Sequence, residues 1–144
     1  AFTLLNRLEA LVLAERWPEV VRDGALGLAR LDSHEEAGAF ADSALQAEAY
    51  VAIAQCRTGA ATEGGALAAR ARARLAEGVW PDRARHALVA EAEAECRFAA
   101  GDLAAAREAL ARSRAEDPHL PPGDARDLAR RDALGARIAA AGGD

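Results

Sequence analysis

The chain has no lysine and no methionine, and its aromatic residues are three Phe, two Trp and one Tyr. It has only two cysteines, too few for the disulfide framework that staples small secreted domains. Cys56 and Cys96 lie in no CxxC pair and have no histidine near them, so zinc-ligand spacing is missing. Both are expected to be buried, reduced and unbonded, acting as small packing residues in a cytoplasmic protein. No apolar run approaches the roughly 18 residues of a membrane span. Ala1-Phe2-Thr3 opens neither a basic region nor an apolar one, so no signal peptide is expected. A chain that starts without Met is expected to be processed or to be a piece of something longer. Val, Ile and Thr are scarce, which disfavours strands. The net charge of −5 and a pI of about 5.3 give none of the basic character that nucleic-acid binding needs.

What the chain has instead is alanine, leucine, arginine and glutamate, all strong helix formers. Leu4, Leu5, Leu8, Leu11 and Val12 recur at helical spacing and predict a helix over residues 2–15. Trp17-Pro18 puts proline where a second helix can begin, and Val20, Val21, Leu28 and Leu31 carry it to 31. Ser33 and Glu36 have capping-box spacing before a helical stretch to 57, which Gly38 or Ser43 could interrupt. Thr62 is placed to cap a helix over 62–77. Helices over about 82–99 and 102–116 follow, joined at Gly101-Asp102. The loop Asp117-Pro118-His119-Leu120-Pro121-Pro122-Gly123 leads to Asp124 and a last helix. Leu128, Leu134 and Ile138 lie on that helix's apolar side. Connections this short make consecutive helices neighbours.

Residue groups that could carry catalysis do not form. His34, His86 and His119 stand apart, none at ligand spacing from a second His, Cys or carboxylate. Ser33, Ser43 and Ser113 lack the strand-turn setting of a nucleophile elbow, and Gly64-Gly65 is no phosphate loop. Glu91, Glu93 and Glu95 alternate along one helix and spread around it. Arg70, Arg72 and Arg74 form a local basic run, read as a solvated face with stems lying over alanine. No enzyme activity, metal or cofactor is expected.

A shift of 40 residues aligns Cys56-Arg57 with Cys96-Arg97, Arg72 with Arg112 and Arg74 with Arg114, suggesting an internal repeat with the two cysteines in one repeat position. From Leu88 to Pro118, Gly101-Asp102 at a turn is followed by Ala106, Leu110, Ser113 and a closing Pro118. That pattern resembles a tetratricopeptide repeat, though Arg97 stands where an aromatic is usual. Residues 2–31 resemble it more loosely through Trp17, Val20 and Gly27. The resemblance implies an all-α fold of antiparallel hairpins stacked as a short solenoid. Its hairpins would cover 2–31, 43–77 and 82–116, with a capping helix over 124–141.

The resemblance also implies a concave groove lined by the first helix of each hairpin. Its lining falls on Phe2, Leu5, Glu9 and Val12, then Glu48, Val51 and Gln55, then Leu88, Glu91, Glu95 and Phe98. The Lys and Asn residues of the family's carboxylate-clamp members are missing there. Carboxylates around a concave surface attract cations, so the expected partner is a peptide or protein segment with basic and apolar residues. Reversing Glu91 and Glu95 to lysine is expected to weaken binding and leave the helical spectrum intact. The other reading is a sensory or effector domain of a bacterial transcriptional regulator whose DNA-binding part lies outside this chain.

Overall fold

The computed structural model describes residues 2–32, 41–78, 80, 82–119 and 125–143, and no strand occurs among them. Among the described residues seven α-helices run in order: α1 (Phe2–Leu13), α2 (Trp17–Asp32), α3 (Ala41–Arg57), α4 (Ala61–Glu77), α5 (Arg83–Ala99), α6 (Leu103–Arg114) and α7 (Ala125–Ala141). A 3-10 turn, Asp117–His119, follows α6. The all-helical class read from composition and periodicity is therefore the observed one. The Ser33/Glu36 capping box, His34, the Gly38 break and the Asp124 cap lie outside the described residues.

Three connections share one geometry. The links α1–α2, α3–α4 and α5–α6 are each three residues long, and the middle residue has a positive φ: 54° at Glu15, 92° at Gly59 and 83° at Gly101. In each, the third link residue donates its N–H to a carbonyl five residues back: Arg16 to Leu11 at 2.9 Å, Ala60 to Gln55 at 2.8 Å and Asp102 to Arg97 at 3.0 Å. That is the Schellman termination, in which a left-handed residue turns the chain and satisfies a free helix carbonyl. The shared turn also fixes the internal register. From α3 to α5, from Gly59 to Gly101 and from α4 to α6 the step is 42 residues (83 less 41, 101 less 59). The identities found at a shift of 40 are two residues out of this register, so Cys56 and Cys96 are not equivalent positions.

The cap expected at Thr62 does not form. Helix α4 starts at Ala61, its N-cap Ala60 offers no side chain, and the Thr58 hydroxyl instead donates to the Ala54 carbonyl at 2.9 Å. Asp82 and Asp102 do cap, accepting from Ala84 N at 2.9 Å and Ala105 N at 3.1 Å.

Small residues let the helices approach closely. Leu8, Val12, Val20, Leu28 and Val51 close the space between α1, α2 and α3. Leu45, Ala71, Leu75 and Val89 join α3, α4 and α5. Leu134 and Ile138 of α7 pack against Ala94 of α5 and Ala106, Ala109 and Leu110 of α6. Between α3 and α5 the contact is largely alanine: Ala49, Ala52 and Ala92, with Ile53. There Cys56 and Cys96 come together with Cα atoms 5.1 Å apart and form a disulfide, a separation normal for that bond. The expectation of two unbonded thiols is thus overturned. Both residues are buried, as expected, but the alanine-lined approach of α3 to α5 brings their sulfurs face to face.

The adjacent glycines of α4 provide a test of this packing. A Cβ on Gly64 would lie 2.3 Å from Cys56 Sγ and 2.9 Å from the Ala52 carbonyl oxygen, whereas a Cβ on Gly65 meets nothing within 4 Å. Overpacking costs about 1–3 kcal/mol, and Gly to Ala within a helix returns roughly 0.5–1 kcal/mol. Gly64→Ala should therefore destabilise by about 1–2 kcal/mol and Gly65→Ala should stabilise by up to about 1 kcal/mol. Urea midpoints of the two variants should move in opposite directions. Movement of both in the same direction would refute the close approach of α4 to α3.

Candidate functional site

One polar cleft is shared by the first helices of all three pairs. Glu9 of α1, Gln46 and Tyr50 of α3, and Arg85, Leu88 and Glu91 of α5 line it, and α7 closes it with Asp127, Arg130 and Arg131. Its volume is ≈ 100 Å³. Of the residues expected in a groove, Glu9, Leu88 and Glu91 meet here. The others go elsewhere. Val12 and Val51 are core residues with 2% and 1% exposure. Leu5 packs half-buried on that core. Gln55 is half-buried, with no hydrogen-bond partner for its Oε1. The Phe2 side chain lies outside the described residues.

The glutamates expected to line an open acidic surface are buried and paired with arginines from other helices. Glu48, fully buried, takes Arg74 at 2.9 Å and Arg70 at 3.3 Å from α4. Arg70 and Arg74 therefore hold a carboxylate, Arg70 while its side chain stays exposed. Glu95 accepts from Arg57 at 2.8 Å and from Arg137 of α7 at 2.8 Å. Those two guanidiniums lie over aromatic rings, Arg57 over Trp17 at 5.1 Å and Arg137 over Phe98 at 5.4 Å. Glu93, on the other side of α5, pairs with Arg72 and with Arg112 at 3.4 Å. The three alternating glutamates of α5 thus tie it to its neighbours.

Inside the cleft, Arg130 grips Glu91 at 2.7 and 2.9 Å and Asp127 at 2.9 Å. Arg131 reaches Asp117 at 3.0 Å and the Ser113 hydroxyl at 3.2 Å, and that hydroxyl donates to the Ala87 carbonyl at 2.7 Å. Arg85 is held by Asp42 at 2.6 Å and Asp82 at 3.7 Å. Burial pushes the Glu91 carboxyl above its ordinary range; Arg130 and Arg131 pull the other way without cancelling it. Burial also raises the Tyr50 phenol, helped by the Asp127 and Glu9 carboxylates.

Sequence reasoning missed Tyr50, Gln46, Arg85, Asp127 and the Arg130-Arg131 pair. Two signals were there to find: Tyr50 is the only tyrosine, and Asp127 precedes Arg130 by three residues, one helical turn. Of the other residues considered, His119 is exposed and His86 Nε2 sits 3.1 Å from the Trp80 carbonyl. Among the described residues no group of three metal-ligating side chains forms and no helix is long and apolar enough to cross a membrane. Comparison with protein-family models, with curated proteins and with solved structures finds no match for the chain.

Proposed function

We propose that the chain is a short tetratricopeptide-like array that holds a peptide or protein segment on the face shared by α1, α3 and α5. It works as an interaction module, not an enzyme. The observation that carries this reading is the threefold turn: Glu15, Gly59 and Gly101 occupy one position, each two residues before a second helix. The fourth residue of that helix is in every case buried against its partner: Val20, Gly64 and Ala106. Such repetition stacks hairpins into a continuous core and leaves a face made of first helices. In this reading α7 closes the end of the array. The cleft's arginines are closed on neighbouring carboxylates, which suits holding a ligand better than moving protons. The partner segment carries basic and apolar residues, met by the carboxylates of Glu9 and Asp127 and by Leu88.

Site-specific photo-cross-linking in the native host tests this. A cross-linking residue at Gln46 or Leu88 should trap one discrete partner protein, and the same group at exposed Ala69 on α4 should not. Trapping from Ala69 alone, or from neither face, would reject the groove.

A further inference from the structure

We propose that the cleft between α1, α3, α5 and α7 is a binding site for a single organic cation, a guanidinium or primary ammonium head group. The cation comes either from a basic side chain of the bound segment or from a free small amine. The segment as source rests on the interaction-module reading; the head-group chemistry rests on the cleft alone.

Charge is the first argument. Arg85, Arg130 and Arg131 are the cleft's cations, and each is already engaged by carboxylates within 4 Å. The lining itself holds three carboxylates, Glu9, Glu91 and Asp127, against these three guanidiniums, and Asp42, Asp82 and Asp117 engage the guanidiniums from outside it. The exposed Glu9 makes no ion pair among the described residues, so one carboxylate stands at the cleft without an arginine from them. An excess of carboxylates around such a network draws in a cation.

An independent observation comes from Tyr50. Its side chain lines the cleft with 7% of the residue exposed, yet its hydroxyl has no hydrogen-bond partner among the described residues. Tyrosine hydroxyls in such mostly buried positions usually find a partner, and this one is open to a group that enters the cleft. It faces the Asp127, Glu9 and Glu91 carboxylates, whose fields disfavour its ionisation. A neutral phenol can accept from an N–H donor while the carboxylates balance the charge. Size completes the case: ≈ 100 Å³ admits a head group and a few methylenes, with Leu88 beside the stem, and excludes a folded element.

The lone tyrosine gives the experiment its reporter, because its ring signals in a carbon-13 NMR spectrum of the full chain are unique. Acetyl-arginine amide and n-butylammonium should displace those signals saturably, and the uncharged acetyl-citrulline amide should not. Glu9→Gln, an exposed change that leaves the fold alone, should weaken binding about tenfold, the scale of one charge-assisted hydrogen bond. Tyr50→Phe, followed through the Leu88 methyl signals, should weaken it several-fold. A five-residue peptide with a central arginine that binds tenfold more tightly than arginine amide identifies a segment as the source; equal affinity identifies a free amine. No movement of Tyr50, an equal response to the citrulline compound, or wild-type binding by both variants overturns the site. A partner trapped at Leu88 alongside an unmoved Tyr50 leaves the interaction module standing and removes the cation site. Arginine amide bound with no trapped partner does the reverse.

Discussion

Reducing the Cys56–Cys96 bond should lower the unfolding temperature by roughly 10 °C. The bond closes a loop of 40 residues. In the chain-entropy account such a loop restricts the unfolded chain by about 4 kcal/mol at 25 °C. For a chain of this length, each kcal/mol lowers the midpoint by roughly 2–4 °C. The bond also ties α3 to α5, and with them the two helix pairs α3/α4 and α5/α6. Its loss should therefore loosen their contact before it unwinds any helix. Melting followed by far-UV circular dichroism with and without reductant reads the effect. A Cys56→Ala, Cys96→Ala double variant should melt near the reduced wild type and ignore reductant. A wild-type midpoint that does not move, while free-thiol titration shows both sulfurs reduced, would mean that the bond contributes nothing.

The same bond shows where sequence reading stops. Helices were legible because leucine spacing, Trp17-Pro18 and Gly101-Asp102 are local signals. Helix ends came within about two residues wherever a turn or an Asp cap marked them. The register of the repeat was not legible. Alanine is so frequent that a shift of 40 collected chance identities, whereas the true step of 42 between the second and third pairs rests on the left-handed turns at Gly59 and Gly101, and the matching turn at Glu15 lies 44 residues before Gly59 (59 less 15). Glutamate at position 15 hides that conformation, because only glycine advertises a left-handed turn. A cysteine pair 40 residues apart carries no sign of meeting; that depends on how closely two alanine faces approach. Little of the cleft was legible. Glu9, Leu88 and Glu91 are among the groove positions that the repeat resemblance implies, but the arginines that neutralise Glu48, Glu91 and Glu95 arrive from positions 22 to 42 residues away. No local pattern distinguishes a glutamate facing solvent from one facing an arginine of another helix.

Glu91→Lys should abolish the cooperative fold, contrary to the expectation that charge reversal leaves the helices untouched. Glu91 is 1% exposed, and Arg130, itself 9% exposed, holds it through two contacts under 3 Å. Removing one member of a buried pair costs about 3–5 kcal/mol, because the other charge is left in a medium that solvates it poorly. Lysine goes further and sets a second cation against Arg130 and Arg131, whose guanidinium is 3.8 Å from the present carboxylate. Total stability of a domain this size is about 5–15 kcal/mol, so the penalty consumes most or all of it. Acid should not imitate the variant. The folded Glu91 pKa is raised above its unfolded value. This group therefore favours the fold most below the unfolded value, and that contribution is lost as pH rises through the folded one. Mild acidification should leave α7 seated as far as Glu91 is concerned. The decisive comparison is a paired one. Glu91→Met together with Arg130→Met replaces the ion pair by apolar volume, which in buried pairs is often neutral or stabilising. The double variant should melt cooperatively within a few degrees of wild type, while Glu91→Lys shows no cooperative transition. If Glu91→Lys melts at the wild-type temperature, the carboxylate is not buried against α7, and the cleft that α7 closes does not exist in solution.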